Sequence, residues 1–247
     1  MNSGIYLYGI LPKPIPDSIV LKGLEGLDRH PVYNHVVNEF SFLYSEAKQK
    51  KYLTSRRNLL CHEKVLETVM NAGFRNLLPL RFGLVVHSWD MVIEQLIEPH
   101  KEKLEELFHN LDGRREVSVK VLWNSQSEIE LLLAESPNLK AQRDAMLGKA
   151  LSMDEVIEIG RRIEQGLQLR QDTIIDVFRD ALNPLAESVI ENETMTDQMI
   201  YNAAYLIPWE AESTFGQVVE AIDYQFNDRL RIRYNNFTAP YTFTQLS

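Results

Sequence analysis

The segment of residues 77–86 has the alternating pattern of a β-strand. Successive side chains in a strand point to opposite faces. One face would carry Leu78, Leu80, Phe82, Leu84 and Val86. The other face is also largely apolar, and a strand that is apolar on both faces is usually covered on both. The pattern therefore predicts a central strand that forms the spine of a sheet.

Three residues of this segment limit what can surround it. Pro79 has no N–H to donate, so strand pairing on one side must be absent or bulged there. Arg81 is a permanent cation in an apolar run, and its burial would require a carboxylate or several carbonyl groups. Gly83 leaves room for another backbone or side chain. We expect an internal ion pair at Arg81; a bound anion or a partner's carboxylate is the alternative.

The pattern around this segment predicts a small α+β domain over residues 1–112, with helices on one face of a sheet. Periods of two indicate strands, and apolar residues three or four apart indicate helices. The elements are a strand over 5–10, two strands over 32–37 and 39–44, a helix from Thr54 or Ser55 to Gly73, the central strand, and a helix from Ser88 to the turn Asp112-Gly113. We expect that turn to be a domain boundary.

Residues 113–233 predict a second α+β domain of modified ferredoxin-like character. The elements are a strand over 116–123, a helix over 125–135, a long helix capped at Ser152 and ended by Asn183-Pro184, a strand over 201–207, a helix over 210–226 and a strand over 230–234. A strand, a long helical excursion, a strand, a helix and a strand are typical of one sheet layer covered by one helix layer.

The long helix has an apolar stripe from Met153 to Ala181 with spacings of three and four. Such spacing is typical of a coiled-coil seam. It also fits a long helix that lies across a sheet or packs back on the preceding helix. Gly160 and Arg170 interrupt a proper seam, so we favour packing within the domain.

Residues 234–247 form an aromatic tail without a charged side chain. Its aromatic residues are Tyr234, Phe237, Tyr241 and Phe243, and we expect Pro240 to keep the tail extended. An apolar tail is costly to leave in water. We favour docking on its own domain, with addition as a strand to another subunit as the alternative.

Charge and cysteine content limit the partners and the compartment. A net charge of −9 over 247 residues disfavours binding to nucleic acid or to an anionic lipid membrane, since both require a positive field. The single cysteine, Cys61, excludes an internal disulfide and gives no sign of an oxidising compartment. We find no signal peptide and no run near the ~18 apolar residues of a membrane span. We expect a soluble, cytoplasmic protein.

The sequence carries no recognised catalytic motif. It has no phosphate-binding Gly-rich loop, no G-x-G-x-x-G fingerprint and no G-x-S-x-G elbow. Cys61 and His62 are neighbours on a helix, so their side chains point about 100° apart and cannot form a nucleophile–base pair. His62-Glu63 begins a zincin-like helix, but Leu66 stands where the second histidine is required. We predict a hydrogen-bonded core histidine at position 62, and no catalytic residue, cofactor or metal.

One motif is specific: Leu78-Pro79-Leu80-Arg81-Phe82-Gly83. Weaker motifs accompany it in order along the chain: Tyr6-Leu7-Tyr8-Gly9-Ile10, His62-Glu63-x-Val65, Asn202-Ala203-Ala204-Tyr205-Leu206 and Pro240-Tyr241-x-Phe243. Together they span residues 6 to 243 and resemble the gas vesicle protein GvpL/GvpF family, its cyanobacterial-type members most of all.

This resemblance implies a minor structural or assembly component of gas vesicles, the gas-filled protein shells that give aquatic prokaryotes buoyancy. It implies contacts with the main shell protein and other gas vesicle proteins, a location at the gas vesicle, and no enzymatic activity or cofactor. The candidate contact residues are Leu78, Pro79, Leu80, Arg81, Phe82, Gly83, Tyr241 and Phe243. The alternative is a regulatory domain that binds a small molecule or an anion through Arg81.

Overall fold

The computed structural model describes residues 4–12, 21–146 and 153–245, with only the backbone of Met146. The predicted α+β class is confirmed, since both helices and sheets are present.

The chain divides into two compact units. Unit 1 comprises Met1–Val117, Leu206–Trp209 and Asn236–Ser247, and unit 2 comprises Ser118–Tyr205 and Glu210–Asn235. The domain boundary at Asp112-Gly113 stays a prediction, and the predicted cap at Ser152 lies outside the described residues.

Unit 1 contains an antiparallel sheet in the order β2-β3-β1-β4, with β5 also paired to β1. Its strands are β1 (Gly4–Leu11), β2 (Tyr33–Val37), β3 (Phe40–Ala47), β4 (Leu78–Pro79) and β5 (Val85–Val86). The spine of this sheet is β1, in which every residue but Ile5 is buried. The prediction of a continuous central strand over residues 77–86 is therefore wrong.

The two ends of that segment pair with β1, but its middle is extruded. The N–H of Leu80 donates to the carbonyl of Tyr8 at 2.9 Å, and the N–H of Leu7 donates to the carbonyl of Leu84 at 3.0 Å. Residues 81–83 thus leave the sheet opposite two adjacent residues of β1, Leu7 and Tyr8. We call these three residues the bulge loop. An insertion of this kind re-aims side chains away from the sheet.

Helices cover both faces of this sheet, which corrects the expectation of one covered face. The helices are α1 (Arg56–Asn71), α2 (Trp89–Val92) and α3 (Glu98–Leu111), with a π-helical turn (Ile93–Ile97) joining the last two. Tyr6 and Tyr8 of β1 pack with α1 in one core, whereas Leu7 and Ile10 pack with α2 and α3 in the other. Burial on both faces explains why β1 is almost wholly apolar.

Local sequence sets the helix boundaries in unit 1. The predicted cap of α1 is confirmed, because Ser55 Oγ accepts a hydrogen bond from the N–H of Asn58 at 3.3 Å. The chain turns after α1 at Gly73, whose φ of 100° suits glycine. The π-helical turn ends at Ile97, two residues before Pro99, which has no N–H for the regular helical hydrogen bond.

The second sheet has the predicted ferredoxin-like topology. Its strands are β6 (Arg114–Trp123), β7 (Ser188–Glu191), β8 (Met199–Pro208) and β9 (Leu230–Thr238), and the helices between them are α4 (Ser125–Glu135), α5 (Pro137–Met146), α6 (Met153–Leu182) and α7 (Glu212–Phe226). The order β7-β8-β6-β9 is that of a β-α-β-β-α-β unit whose outer strands are the second and the fourth. The short strand β7 and the helix α5 were not predicted. Four 3₁₀ turns, Leu27–Arg29, Asn183–Leu185, Trp209–Ala211 and Asn227–Arg229, complete the described elements.

The long helix α6 packs back on α4, as favoured from its sequence. A Cβ atom at Gly166 would lie 2.7 Å from the side chain of Leu132 on α4, so glycine permits this close approach. Arg170 pairs with Glu135 and also lies 3.6 Å from Glu128, both on α4. The residue that interrupts a coiled-coil seam is therefore the one that joins the two helices.

Candidate contact cleft

A hydrogen-bonded network holds both ends of the bulge loop in place. Tyr6 Oη lies 2.9 Å from His62 Nδ1 and accepts a hydrogen bond of 3.0 Å from the N–H of Gly83. His62 Nε2 lies 3.2 Å from the carbonyl oxygen of Leu80. Tyr6, His62 and Leu80 are buried. The loop is thus fixed to β1 and α1 by side chains far away in sequence.

Only one arrangement of protons satisfies this network. The carbonyl of Leu80 can only accept, so His62 Nε2 carries the proton. His62 Nδ1 then accepts the hydroxyl proton of Tyr6, whose oxygen is left to accept from Gly83. Burial lowers the pKa of His62 to about 4 and keeps the ring neutral. The prediction that His62 is a hydrogen-bonded core histidine is confirmed.

Gly83 is required for its backbone conformation. Its φ is 92°, in the left-handed region that other residues rarely adopt. No described atom lies within 4 Å of the position that a Cβ atom would take. No described segment of the chain therefore uses the room that Gly83 leaves, and the turn itself explains the residue.

Arg81 is exposed, so the predicted internal ion pair at this residue is wrong. Within the described ranges its side chain has neither a hydrogen bond nor a salt bridge. An ion pair with a buried carboxylate exists instead in unit 2, where Glu128 is 1% exposed. Arg229 Nε donates to Glu128 Oε1 and Arg229 Nη2 donates to Glu128 Oε2, each at 2.7 Å. The extrusion of the bulge loop explains the difference, because it turns Arg81 away from the core.

The C-terminal tail lies beside the bulge loop within unit 1. The N–H and Oγ1 of Thr242 donate to Glu116 at 2.9 and 2.7 Å, and Tyr241 Oη donates to Glu63 at 3.2 Å. The tail therefore packs on its own chain, but it contacts α1 of the predicted first domain, whereas the favoured expectation was docking on its own, second domain. β9 continues to Thr238, and residues 241–243 form a turn, so the expectation that Pro240 keeps the tail extended is wrong for this part.

A cleft of about 390 Å³ opens between the bulge loop and the tail. Its lining residues are Pro79, Leu80, Arg81, Phe82, Gly83, Leu84, Leu96, Tyr241, Thr244 and Gln245. Six of the eight candidate contact residues are thus brought together. The other two lie in the α2–α3 core: Leu78 is buried there, and Phe243 packs against it half-buried. The cleft has mainly apolar walls and a guanidinium group from Arg81, an arrangement suited to binding.

Comparison with known proteins identifies the chain's relatives. The family model described as "Gas vesicle synthesis protein GvpL/GvpF" matches residues 4–245.

The chain belongs to the GvpL/GvpF family.

Relatives in this family match the chain over its whole length. "Gas vesicle protein F" of Nostoc sp. is 60% identical over 247 residues, and that of Microcystis aeruginosa is 61% identical over 246 residues, with full coverage of both chains in each comparison. The crystal structure of the gas vesicle protein GvpF from Anabaena sp. has a TM-score of 0.87 and 57% identity, and the alignment covers 99% of this chain and 97% of that one. The resemblance found in the motifs is confirmed.

Four cleft residues of this GvpL/GvpF member were missed from the sequence: Leu84, Leu96, Thr244 and Gln245. Leu84 was assigned to the buried face of a strand, and Leu96 belongs to the π-helical turn. Tyr6 and His62, which position the loop, do belong to the weaker family motifs. Their shared role could not be inferred because it depends on a contact between residues 56 positions apart.

Burial changes the acidity of several groups behind the cleft. It raises the pKa of Glu116 to about 7, although the hydrogen bonds from Thr242 act in the opposite direction. The pKa of Glu63 is likewise raised by burial, against the hydrogen bond from Tyr241. Burial and the nearby Glu63 also raise the pKa of Tyr241. The tail is therefore held by carboxyl groups that are sparingly solvated.

Two further observations concern metals and membranes. Among the residues that the structure describes, no three His, Cys, Asp or Glu side chains are grouped so that they could hold a metal ion. None of the described helices has the length and apolar character to cross a membrane.

Proposed function

We propose that this protein is a minor structural or assembly component of gas vesicles that acts without turnover. It would bind the main shell protein and other gas vesicle proteins during vesicle formation. The observation that supports this most directly is the family match over residues 4–245 together with full-length relatives called gas vesicle protein F. Under this proposal the protein is located at the gas vesicle, inside the cell.

The cleft is the proposed contact site. Pro79, Phe82 and Leu84 give it apolar walls, and Arg81 at its rim has no partner within the described residues. An apolar surface with an arginine at its edge suits a protein partner, because arginine and aromatic residues supply much of the binding energy at interfaces. The rigid network of Tyr6 and His62 would keep this surface in shape before a partner arrives.

Flotation of intact vesicles tests the proposed location. Vesicles from cells that express the protein are floated, washed and immunoblotted beside the cytosolic fraction. We expect the signal to stay with the washed vesicles. A protein found only in the cytosol would not be a shell component, and a pull-down with the purified shell proteins would then decide whether it assists assembly.

Matched variants test the contact site in the pull-down with gas vesicle proteins. Arg81→Ala changes the cleft, and Arg57→Ala removes an exposed arginine of the same unit that does not line it. We expect Arg81→Ala to reduce capture of gas vesicle proteins and Arg57→Ala to leave it unchanged. Equal capture by both variants would contradict the assignment of the cleft, although it would leave the vesicle role intact.

The second candidate function is the binding of a small molecule or an anion. It is favoured by one observation: the guanidinium of Arg81 has no partner among the described residues and lies beside an apolar cleft of about 390 Å³. Calorimetry with phosphorylated and carboxylated metabolites separates the two functions. Saturable binding that Arg81→Ala abolishes in a folded protein would support this second function.

A further inference from the structure

The strand β9 (Leu230–Thr238) forms an outer edge of the second sheet. It is the last in the order β7-β8-β6-β9, so only β6 pairs with it. Within the described ranges, the backbone of residues 230–233 makes no backbone hydrogen bond outside the sheet. An edge strand presents a row of unpaired N–H and C=O groups that can accept another strand.

The two faces of β9 differ in charge. Tyr234 stacks on Phe215 of α7, so the even-numbered residues of β9 face the helices. Arg231 and Arg233 then lie on the opposite face, and both are exposed. Neither side chain has an ion pair or a hydrogen bond within the described part of the chain. Two cations two residues apart on one face form a short positive row.

The neighbouring strand extends this row. Val119, Val121 and Trp123 of β6 are buried, and Trp123 lines a cavity together with Ile163 and Leu167 of α6. Lys120 is therefore on the face turned away from the helices, which is also the face of Arg231 and Arg233. Its side chain likewise has no ion pair among the described residues. Three cations on one sheet face stand out in a chain whose net charge is −9.

A groove follows the outer edge of β9 beside α7. It measures about 670 Å³ and lies between α7 and β9, with no lining residue from β6, which places it along the outer edge. Its lining residues are Glu220, Asp223, Tyr224, Asn227, Asp228, Leu230, Arg231 and Ile232. Tyr224 is 89% exposed, an unusual exposure for a large aromatic side chain.

We propose that β9 accepts an extended acidic segment of another protein as an additional strand. Side chains of an added strand alternate between the two faces. Asp or Glu at every second position would face Arg231 and Arg233, and the residues between them would enter the groove beside Tyr224. Opposite charges on directly paired strands are stabilising, and like charges are destabilising.

The same charges exclude other occupants. Antiparallel pairing of β9 with a second copy about Ile232 would place Arg231 of each chain opposite Arg233 of the other, an arrangement of like charges. A nucleic acid would have to pass the acidic wall formed by Glu220, Asp223 and Asp228. A peptide strand with acidic residues on one face avoids both conflicts.

A peptide titration tests the proposal with the full-length chain. The probe is an end-capped peptide of about eight residues in which Glu alternates with Val, a length typical of a strand. One control peptide has Lys in place of Glu. A second has N-methyl groups on alternate backbone nitrogens, which prevent strand pairing and leave the charges unchanged. We expect only the unmodified Glu peptide to bind, and hydrogen exchange of the β9 amides to slow in its presence.

Charge reversal provides the matched variant. Arg231→Glu/Arg233→Glu should weaken binding of the Glu peptide at least tenfold and allow binding of the Lys peptide. Arg56→Glu/Arg57→Glu changes the net charge by the same amount, on exposed residues of α1. It should alter the binding of neither the Glu peptide nor the Lys peptide. The proposal is overturned if the Glu peptide fails to bind, if N-methylation or charge reversal leaves binding unchanged, or if sedimentation shows pairing of two copies that charge reversal abolishes. None of these results bears on the vesicle function proposed above.

Discussion

The carbonyl oxygen of Leu80 lies 3.2 Å from His62 Nε2, and this contact determines which ring nitrogen carries the proton. It joins the specific family motif around Arg81 to the weaker motif on α1. Because Tyr6 completes the network, the bulge loop is fixed by residues from three separate parts of the chain. The motif is thus explained in large part by the shape of the loop, which leaves Arg81 outside.

Tyr6→Phe should destabilise the protein by about 1–3 kcal/mol, the usual penalty for leaving a buried polar group unpaired. The change removes only the hydroxyl group, so Gly83 N–H and His62 Nδ1 lose their partner while the ring packing remains. The free energy of unfolding in urea measures the effect. Tyr33→Phe is the control, because Tyr33 lies on the edge strand β2 and is exposed. Equal stabilities for the two variants would show that the network contributes little.

Glu116→Gln should change how stability depends on pH. The pKa of Glu116 is raised to about 7. Between pH 4.5 and 7 this carboxyl group is therefore protonated more fully in the folded state than in the unfolded state, and its contribution to stability falls as pH rises. The pKa of His62, lowered to about 4, has the opposite effect. Between pH 4 and 6.5 this ring is protonated more fully in the unfolded state, so its contribution to stability rises with pH. The two effects largely cancel in the wild type, and Glu116→Gln removes one of them.

Urea unfolding at several pH values measures this difference. The stability of Glu116→Gln relative to the wild type should increase by about 3 kcal/mol between pH 4.5 and 7, from ~1.4 kcal/mol for each unit of pKa shift. Glu102→Gln, on the exposed surface of α3, is the control and should follow the wild type at every pH. A constant difference between Glu116→Gln and the wild type would mean that Glu116 titrates normally.

Glu128→Gln should destabilise unit 2 by about 3–5 kcal/mol, because it leaves the guanidinium of Arg229 without its charge partner. Arg170, 3.6 Å from the same carboxylate, would also lose a favourable interaction. Thermal or urea unfolding is the measurement. Glu158→Gln breaks surface pairs with Arg161 and Arg162 and should cause no measurable change. Similar losses in both variants would contradict the special role of the buried pair.

Patterns of period two and of three to four predicted three of the four strands of the second sheet and its ferredoxin-like character. Even without β7, the order strand, helices, strand, helix, strand was sufficient because such an arrangement has few compact solutions. The same patterns failed for residues 77–86, although both ends of that segment do pair with β1. The alternation contains no sign of the extrusion, which depends on a hydroxyl and an imidazole more than 50 residues apart. Likewise, nothing local relates Glu128 to Arg229, which are separated by 101 residues.

The candidate site was predicted in composition but not in geometry. The motif supplied the candidate contact residues, and six of them line one cleft. Their role in binding stays a prediction. Arg81 was assigned to the core because its neighbours are apolar. A period-two pattern assumes a regular strand, and a three-residue insertion alters the face of every residue within it.

Arg81→Ala should leave the free energy of unfolding within about 0.5 kcal/mol of the wild type, because Arg81 is exposed and has no partner in the part of the chain that the structure describes. A buried ion pair would instead have given a loss of several kcal/mol. Urea unfolding beside the control Arg57→Ala distinguishes the two, and a large loss for Arg81→Ala alone would mean that the guanidinium is held in the core. Because the variant is expected to fold normally, any loss of capture in the pull-down can be attributed to the surface of the cleft.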